Sequence, residues 1–380
     1  MESAAIVRGC CYPIGLRRRA LHAAWHALKG SYSSAELAVG CADHWSDWGE
    51  EMASTALNGV ERRDVIAVVG AGLMGHGIAQ VFAAAGHSVR VHDSSAAALA
   101  SLHERVGLNL DRLGLGADIL SKITTHRRLE EALLGADFVC EAALEDAKLK
   151  QDLVARIDRD VATEVIIATN TSSIPIATVA ERCEQKQRVI GVHWWNPPYL
   201  IPLVEVIQGD ETAMRTVQWT LELVRSVGKL AVHVRRDVPG FIGNRLLHAM
   251  WHEAICLVQS GVCDAETVDL VVKNSFGLRS AVLGPLENAD LVGLDLTLEV
   301  HEQILPFLDR SGAPEPLLRQ KVTNGELGMK TGRGFYSWTP EKERLVREKL
   351  TNHLVSACHP SKDNPAAESL SHRESSGILP

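Results

Sequence analysis

The run DVIAVVG at residues 64–70 is β-branched and ends in glycine, and AGLMGHGIAQVFAAAGH follows it directly with helix-forming residues. Strand, turn and helix are signalled in succession. No other stretch constrains the fold as tightly. Gly70, Gly72 and Gly75 spell G-x-G-x-x-G at the junction, with Leu73 and Met74 between the glycines and Gly77 extending the pattern into the helix. The first glycine permits a tight turn, the second lets the backbone approach a pyrophosphate, and the third lets the helix pack closely on the sheet. Unpaired N–H groups and the helix dipole favour negative charge at that helix start. SVRVHD supplies a second strand, and Asp93 at its carboxyl end lies about twenty residues on, where a carboxylate holds the hydroxyls of an adenosine ribose. A ribose phosphate would be repelled there, and Ser94 and Ser95 follow instead of arginine, so the expected cofactor is NAD rather than NADP.

Further buried strands are expected at DFVCEA from Asp137, EVIIATN from Glu164, RVIGVH from Arg188 and LAVHV from Leu230, each separated by a helical pattern. This alternation predicts an α/β fold: a Rossmann-type, doubly wound, mostly parallel sheet. After Asp237, Pro239 and Gly240 interrupt the chain, and long helical patterns follow, beginning with GFIGNRLLHAMWHEAICLVQSG. The expected organisation is a poorly ordered extension over 1–60, an NAD-binding domain over 61–237, an all-α C-terminal substrate and dimerisation domain over 238–345, and a tail over 346–380, disordered from about His359.

Composition narrows the function classes. With 46% apolar and 23% charged residues the chain can bury a substantial core, and a net charge of -8 with a pI near 6.1 argues against a general nucleic-acid partner. Cys10, Cys11, Cys41, Cys140, Cys183, Cys256, Cys263 and Cys358 follow no C-x-x-C or disulfide rhythm and read as thiols of a cytoplasmic protein. His353 with Cys358 is too sparse for a zinc site, so no metal is expected. No segment has the length and apolarity of a membrane span. Residues 1–30 hold Arg8, Arg17, Arg18, Arg19 and Lys29 against one acid, Glu2, without the apolar centre of a secretory signal.

The stretch GVHWWNPPYLIPLVEVI, residues 191–207, carries the reactive groups. His193 ends a strand, and carboxyl ends of strands are where a doubly wound sheet presents its ligands. Pro197 and Pro198 force the chain out of the strand. It returns through IPLVEVI, where Glu205 is an acid among apolar neighbours, costly to bury ionised unless a donor meets it. His193, across the turn, is the available donor. A carboxylate on one ring nitrogen fixes the tautomer and directs the other nitrogen toward an alcohol proton. ATNTSSIPI, from Ala168, ends another strand with small hydroxyl and amide groups, suited to orienting a substrate oxygen, while Asn170 is placed to hold the nicotinamide region. Asn244, one helical turn after Gly240, is positioned to reach the cleft from the second domain. Of Trp194 and Trp195, at least one is expected in the core or at a domain contact.

Together these residues resemble the L-3-hydroxyacyl-CoA dehydrogenase family, over roughly residues 65–340: the glycine-rich opening, EAALEDAKLKQDL, NTSS, HWWNP, LVEVI, DVPGFIGNRLL and KTGRGFYSW each resemble a family signature. The resemblance implies that Glu145 and Lys150 approach the nicotinamide end of NAD, that Ser172 contacts the substrate oxygen, and that His193 is the acid/base with Glu205 as its partner. It also implies that Asn244 bonds on the substrate side, that the helical domain forms a homodimer contact, and a place in fatty acid metabolism. The sequence departs from the family where a CoA nucleotide would be met. SSAAALASLHERVGLNLDRLGLG contains no lysine and has Asn109 and Gly116 near the relevant places; Arg105, Arg112, Arg127 and Arg128 are the candidate substitutes from new positions. FGLRSAVLGPLENAD, with Arg279, replaces the family's approach to its GPF motif. The HWW segment is also similar to relatives acting on small carboxylated substrates, L-carnitine dehydrogenase and a formyl-hydroxy-methylpyridine carboxylate dehydrogenase. The expected activity is NAD-dependent oxidation of a 3-hydroxyacyl-CoA, with the same chemistry on a small carboxylated alcohol or aldehyde as the alternative. A non-catalytic dinucleotide-binding protein is the remote third reading.

Overall fold

The computed structural model describes residues 65–358. The expected extension over 1–60 and the tail beyond residue 358 lie outside the described residues. The strand anticipated before the glycines is β1, Val65–Val69, and the helix after them is α1, Gly75–Ala84. There follow β2 (Ser88–His92), α2 (Ala96–Ala100), α3 (Leu102–Leu113), β3 (Ile123–His126), α4 (Leu129–Leu133), β4 (Phe138–Glu141), α5 (Ala147–Asp160), β5 (Ile166–Thr169) and α6 (Ile176–Val179). The sheet is completed by β6 (Val189–Trp194), β7 (Leu203–Ile207), α7 (Met214–Ser226) and β8 (Leu230–Val234).

The eight strands form one sheet in the order β3-β2-β1-β4-β5-β6-β7-β8. Every neighbouring pair is parallel except β6 with β7, which is antiparallel. The strand order reverses at β1, which pairs with β2 on one side and β4 on the other, and such a switch point opens a crevice at the carboxyl ends of the strands. β3 is not legible in the sequence pattern. It is a four-residue edge strand whose Thr124 and Thr125 are exposed, so it lacks the apolar run that marked the others.

Alternate residues of the central strands feed two cores. Ile66 and Val68 face one with Ile78, Phe82, Leu102, Leu110 and Trp194; Ala67 and Val69 face the other with Leu129, Val154, Ile157 and Ile176. Burial on both faces is why these strands read as continuous apolar runs. At two glycines the close approach is explicit. A Cβ on Gly75 would lie 1.7 Å from the carbonyl oxygen of Gly70, whereas a Cβ on Gly72 would meet nothing within 4 Å among the described residues. Gly75 is therefore required by the fold. Gly72 is not, and the space over it is left for a ligand.

Beyond β8 the chain is helical: α8 (Gly243–Gln259), α9 (Ala265–Asn274), α10 (Pro285–Val292), α11 (Leu294–Ile304), α12 (Pro316–Thr323) and α13 (Pro340–Cys358). The tail expected from residue 346 thus opens inside α13 as helix. No side chain of α8 to α13 is buried, and large apolar groups stand exposed, with Leu246 at 59%, Leu286 at 80% and Leu298 at 62%. No helix of the described residues is long and apolar enough to cross a membrane.

Substitution separates the two glycines. Gly75→Ala is expected to destabilise the protein by about 2 kcal/mol, on the order of 4–8 °C in melting temperature, because backbone must move. Gly72→Ala is expected to melt as the parent does and to bind NAD at least about tenfold more weakly, by loss of close backbone approach. Equal melting losses in the two variants would contradict this division.

Candidate active site

His193 and Glu205 are directly opposite one another in the antiparallel β6–β7 pair. Opposed residues project from the same face of a sheet, and here it is the face that carries Ile207 and Phe241. His193 is 4% exposed and Glu205 1% exposed, and His193 Nδ1 lies 2.8 Å from Glu205 Oε2. An ionised carboxylate only accepts, so Nδ1 carries a proton, and in the neutral ring Nε2 is the nitrogen with the lone pair. The imidazole is flanked by Trp195 and Phe241, with centroid separations of 5.3 and 5.5 Å.

Glu205 has two further donors that the sequence did not reveal. Its Oε1 accepts from the backbone N–H of Ile242 at 3.0 Å and of Gly243 at 3.1 Å. These amides open α8, where N–H groups have no partner within the helix and the dipole is positive. Burial raises the Glu205 pKa, but the hydrogen bonds from His193, Gly243 and Ile242 outweigh it, and the net direction is below the ordinary 4.5. Phe241, at φ 51°, is the one described non-glycine residue in the left-handed region, and it turns the chain into α8. That conformation is uncommon for a bulky side chain and is held by burial, Phe241 being 1% exposed. Trp195 lies over the first turn of α8, where a Cβ on Gly243 would come within 2.3 Å of its ring. Trp194 is the core member of the pair, at 2% exposure.

The turn after β5 approaches the same place. Asn244 Nδ2 donates to the carbonyl of Ser172 at 3.2 Å, tying the turn to α8. Glu145 Oε1 accepts from Thr171 Oγ1 at 2.7 Å and from the amides of Ser172 at 2.8 Å and Ser173 at 3.1 Å. Burial raises the Glu145 pKa; the bonds from Thr171 and Ser172 and the Lys150 charge bring it below its ordinary value. Lys150 is 1% exposed and pairs with Glu141, 0% exposed, at 2.8 Å. Asn170 uses its Oδ1 to accept from the amide of Trp194 at 2.9 Å, joining β5 to β6. Glu141, Thr169 and Thr171 were not singled out from sequence, although Glu141 gave the signal that marked Glu205: a lone acid in an apolar strand.

At the glycine-rich turn Asp93 Oδ2 accepts from Ala71 N at 2.7 Å and Oδ1 from Ser95 N at 2.7 Å. Gly70 holds φ 113°, a glycine conformation. Leu73 is 66% exposed beside the opening over Gly72, and Met74 packs on the core under α1. The open space above Gly72, the helix start and the acid at the end of β2 together fit an adenosine diphosphate group.

Three of the four arginines flanking this region meet groups of the protein itself. Arg105 donates to the carbonyls of Ala71 at 2.7 Å, Ala98 at 2.9 Å and Gly72 at 3.2 Å. Arg112 hydrogen-bonds Tyr199, Arg128 pairs with Glu130 at 3.7 Å, and Arg127 is exposed. Asn109 is buried against Gln80 at 3.0 Å. A cavity of about 1320 Å³ begins at Ser172 and Asn244 and runs along α8 past Arg245, His248 and Trp251. Among the described residues no His, Cys, Asp and Glu cluster suits a metal ion.

Residues 65–238 match the family model described as 3-hydroxyacyl-CoA dehydrogenase, NAD binding domain, and residues 240–338 match 3-hydroxyacyl-CoA dehydrogenase, C-terminal domain. The chain is 35% identical over 295 residues to the 5-formyl-3-hydroxy-2-methylpyridine 4-carboxylate 5-dehydrogenase of Mesorhizobium japonicum, covering 76% of this chain and 96% of that protein. It is 40% identical over 283 residues to a probable 3-hydroxybutyryl-CoA dehydrogenase of Bacillus subtilis, covering 72% and 96%. Among solved structures it is similar to a 5-formyl-3-hydroxy-2-methylpyridine 4-carboxylic acid 5-dehydrogenase, described as an NAD+ dependent dismutase. The TM-score is 0.74 at 33% identity, over 78% of this chain and 97% of the other.

Glu205→Gln tests the carboxylate. A group whose folded pKa is depressed contributes stability above its unfolded pKa and loses it as pH falls through the folded value. The parent is therefore expected to exceed the variant by about 2 kcal/mol at pH about 7, with the gap closing below pH about 4. Urea unfolding across that range measures it, and a gap that stays constant into acid would refute the assignment of charge.

Proposed function

The chain belongs to the 3-hydroxyacyl-CoA dehydrogenase family, and from that premise we propose that it oxidises the hydroxyl of a 3-hydroxyacyl-CoA to the ketone, with His193 as acid/base. It is an NAD-dependent dehydrogenase of the 3-hydroxyacyl type. The observation that carries the proposal is the buried His193–Glu205 pair, 2.8 Å apart, with Nε2 left to take a proton.

NAD, when bound, supplies the nicotinamide that accepts hydride from the carbinol carbon. The residues of this chain do the rest. Gly70, Gly72, Leu73, Met74, Gly75 and Asp93 hold the adenosine diphosphate half, and Glu145, Lys150 and Asn170 frame the nicotinamide side. His193 Nε2 takes the hydroxyl proton as hydride leaves, and the positive charge on the ring is balanced by Glu205. Ser172 meets the substrate oxygen and Asn244 bonds from the α8 side. The reverse reaction returns the proton from Nε2.

A second reading keeps this chemistry and changes the substrate to a small carboxylated alcohol or aldehyde, the aldehyde reacting as its hydrate. It is favoured by the arginines: Arg105, Arg112 and Arg128 are engaged by the protein itself, which leaves a CoA phosphate without a convergent basic site, while Arg245 and His248 line the cavity next to Asn244. The exposed apolar side chains of α8 to α13 support a homodimer built on these helices, since monomers rarely expose so much contiguous apolar surface. The free cysteines of the described residues suit a reducing, cytoplasmic setting.

His193→Gln is expected to lower kcat by about 10³-fold or more while NAD affinity stays within about twofold. Equal turnover by parent and variant would remove His193 from the reaction. An NAD-coupled screen of 3-hydroxybutyryl-CoA, L-carnitine and pyridine aldehyde carboxylates separates the two substrate readings: turnover confined to the CoA thioester upholds the first, and turnover confined to the small acids replaces it with the second. Sedimentation velocity is expected to give a dimer, and a monomer at micromolar concentration would refute the proposed assembly.

A further inference from the structure

Behind the Thr171–Ser173 turn lies a charge pair of which the proposed function uses only Lys150, leaving Glu141 without a role. Lys150 Nζ donates to Glu141 Oε1 at 2.8 Å and Oε2 at 3.0 Å, and stands 3.4 Å from the carbonyl of Ala143 and 3.5 Å from Glu145 Oε2. The Glu141 oxygens also accept from Ala143 N at 2.7 Å and Thr169 Oγ1 at 2.6 Å. Both members are fully enclosed, at 0% and 1% exposure. A buried ion pair is weak as a source of stability, since apolar residues of similar volume often serve as well or better. Its worth lies in fixing geometry, and the geometry at stake is visible in its contacts.

The ammonium has three protons. Glu141 engages it with both oxygens, and the remaining directions lead to Ala143 and Glu145. Glu145 in turn holds the amides of Ser172 and Ser173 and the hydroxyl of Thr171 on one oxygen. On the far side Asn244 holds the Ser172 carbonyl. The turn is thus gripped from two directions, and the grip on the β4 and β5 side originates at Glu141.

We propose that Glu141 is a positioning residue which, through Lys150 and Glu145, sets the conformation of the Thr171–Ser173 turn that presents Ser172. The consequence for turnover rests on the reading of Ser172 as the group that meets the substrate oxygen; the consequence for the turn does not. Two variants of the full chain test this. Glu141→Gln with Lys150→Met removes both charges together, so that neither is left buried alone, and Glu141→Asp keeps the charges but shortens the acid, so that it cannot reach Lys150 and Thr169 together.

Amide hydrogen exchange without NAD reads the turn directly, with the β6 interior amide of Val192 as reference. The double variant is expected to exchange at Ser172 and Ser173 at least about tenfold faster relative to Val192, and Glu141→Asp by an intermediate factor. In Glu141→Asp, which keeps Lys150, NAD affinity is expected to stay within about twofold while kcat/KM falls at least about threefold; in the double variant kcat/KM falls at least about tenfold. If the double variant does not fold, Glu141→Asp alone decides by the same ratio. Unchanged relative exchange at the two serines overturns the proposal, whether the melting temperature falls, as for a merely structural pair, or NAD affinity falls, as for a direct cofactor contact. Faster exchange with unchanged kcat/KM upholds Glu141 as the holder of the turn and refutes the role given to Ser172.

Discussion

An ionised carboxylate inside a protein persists only where donors replace the water it has lost. At Glu205 these donors come from two directions: the ring of His193 on the neighbouring strand, and the two backbone amides that open α8. One side chain therefore joins the sheet to the helical half of the chain and orients the imidazole in the same act. The helix start supplies amides that would otherwise have no partner, so the arrangement satisfies both components. The depressed Glu205 pKa follows from that convergence.

Glu141 repeats the device at another strand end. It too is a single acid in an apolar strand, and it is met by Lys150, Thr169 and a backbone amide rather than by a histidine. The two acids stand behind two parts of one site: Glu205 behind the ring at residue 193, Glu141 behind the turn at residue 172. Asn244 closes the circuit, because it lies on the helix whose amides hold Glu205 and it bonds the turn that Glu145 holds. A displacement at any one of these contacts is transmitted through groups at hydrogen-bond distance, which is how residues remote from the reacting carbon govern its surroundings.

The glycine-rich turn is stabilised in the same economical way. Asp93 and Arg105 satisfy its amides and carbonyls from opposite sides, so the loop is ordered by the chain itself. Arg105 thereby faces the loop backbone, whereas Arg245 and His248 line the cavity along α8.

Much of this was legible in the residues. The β-branched runs identified seven of the eight strands because burial on both faces demands continuous apolar sequence, and the conjunction of glycines with Asp93 identified the cofactor. His193 and Glu205 were legible as a pair because a buried acid must find a donor and the hairpin brought one back. The short polar strand β3, the braces on Arg105, the amides of Ile242 and Gly243 and the part played by Glu141 were not legible. The sequence by itself determined the fold class, the cofactor and the pairing of His193 with Glu205, since local spacing and burial cost dictate these. Only the tertiary structure decided which donors satisfy each buried acid and which carbonyls Arg105 meets, because those partners lie far apart in the chain and are chosen by packing, on which local pattern is silent.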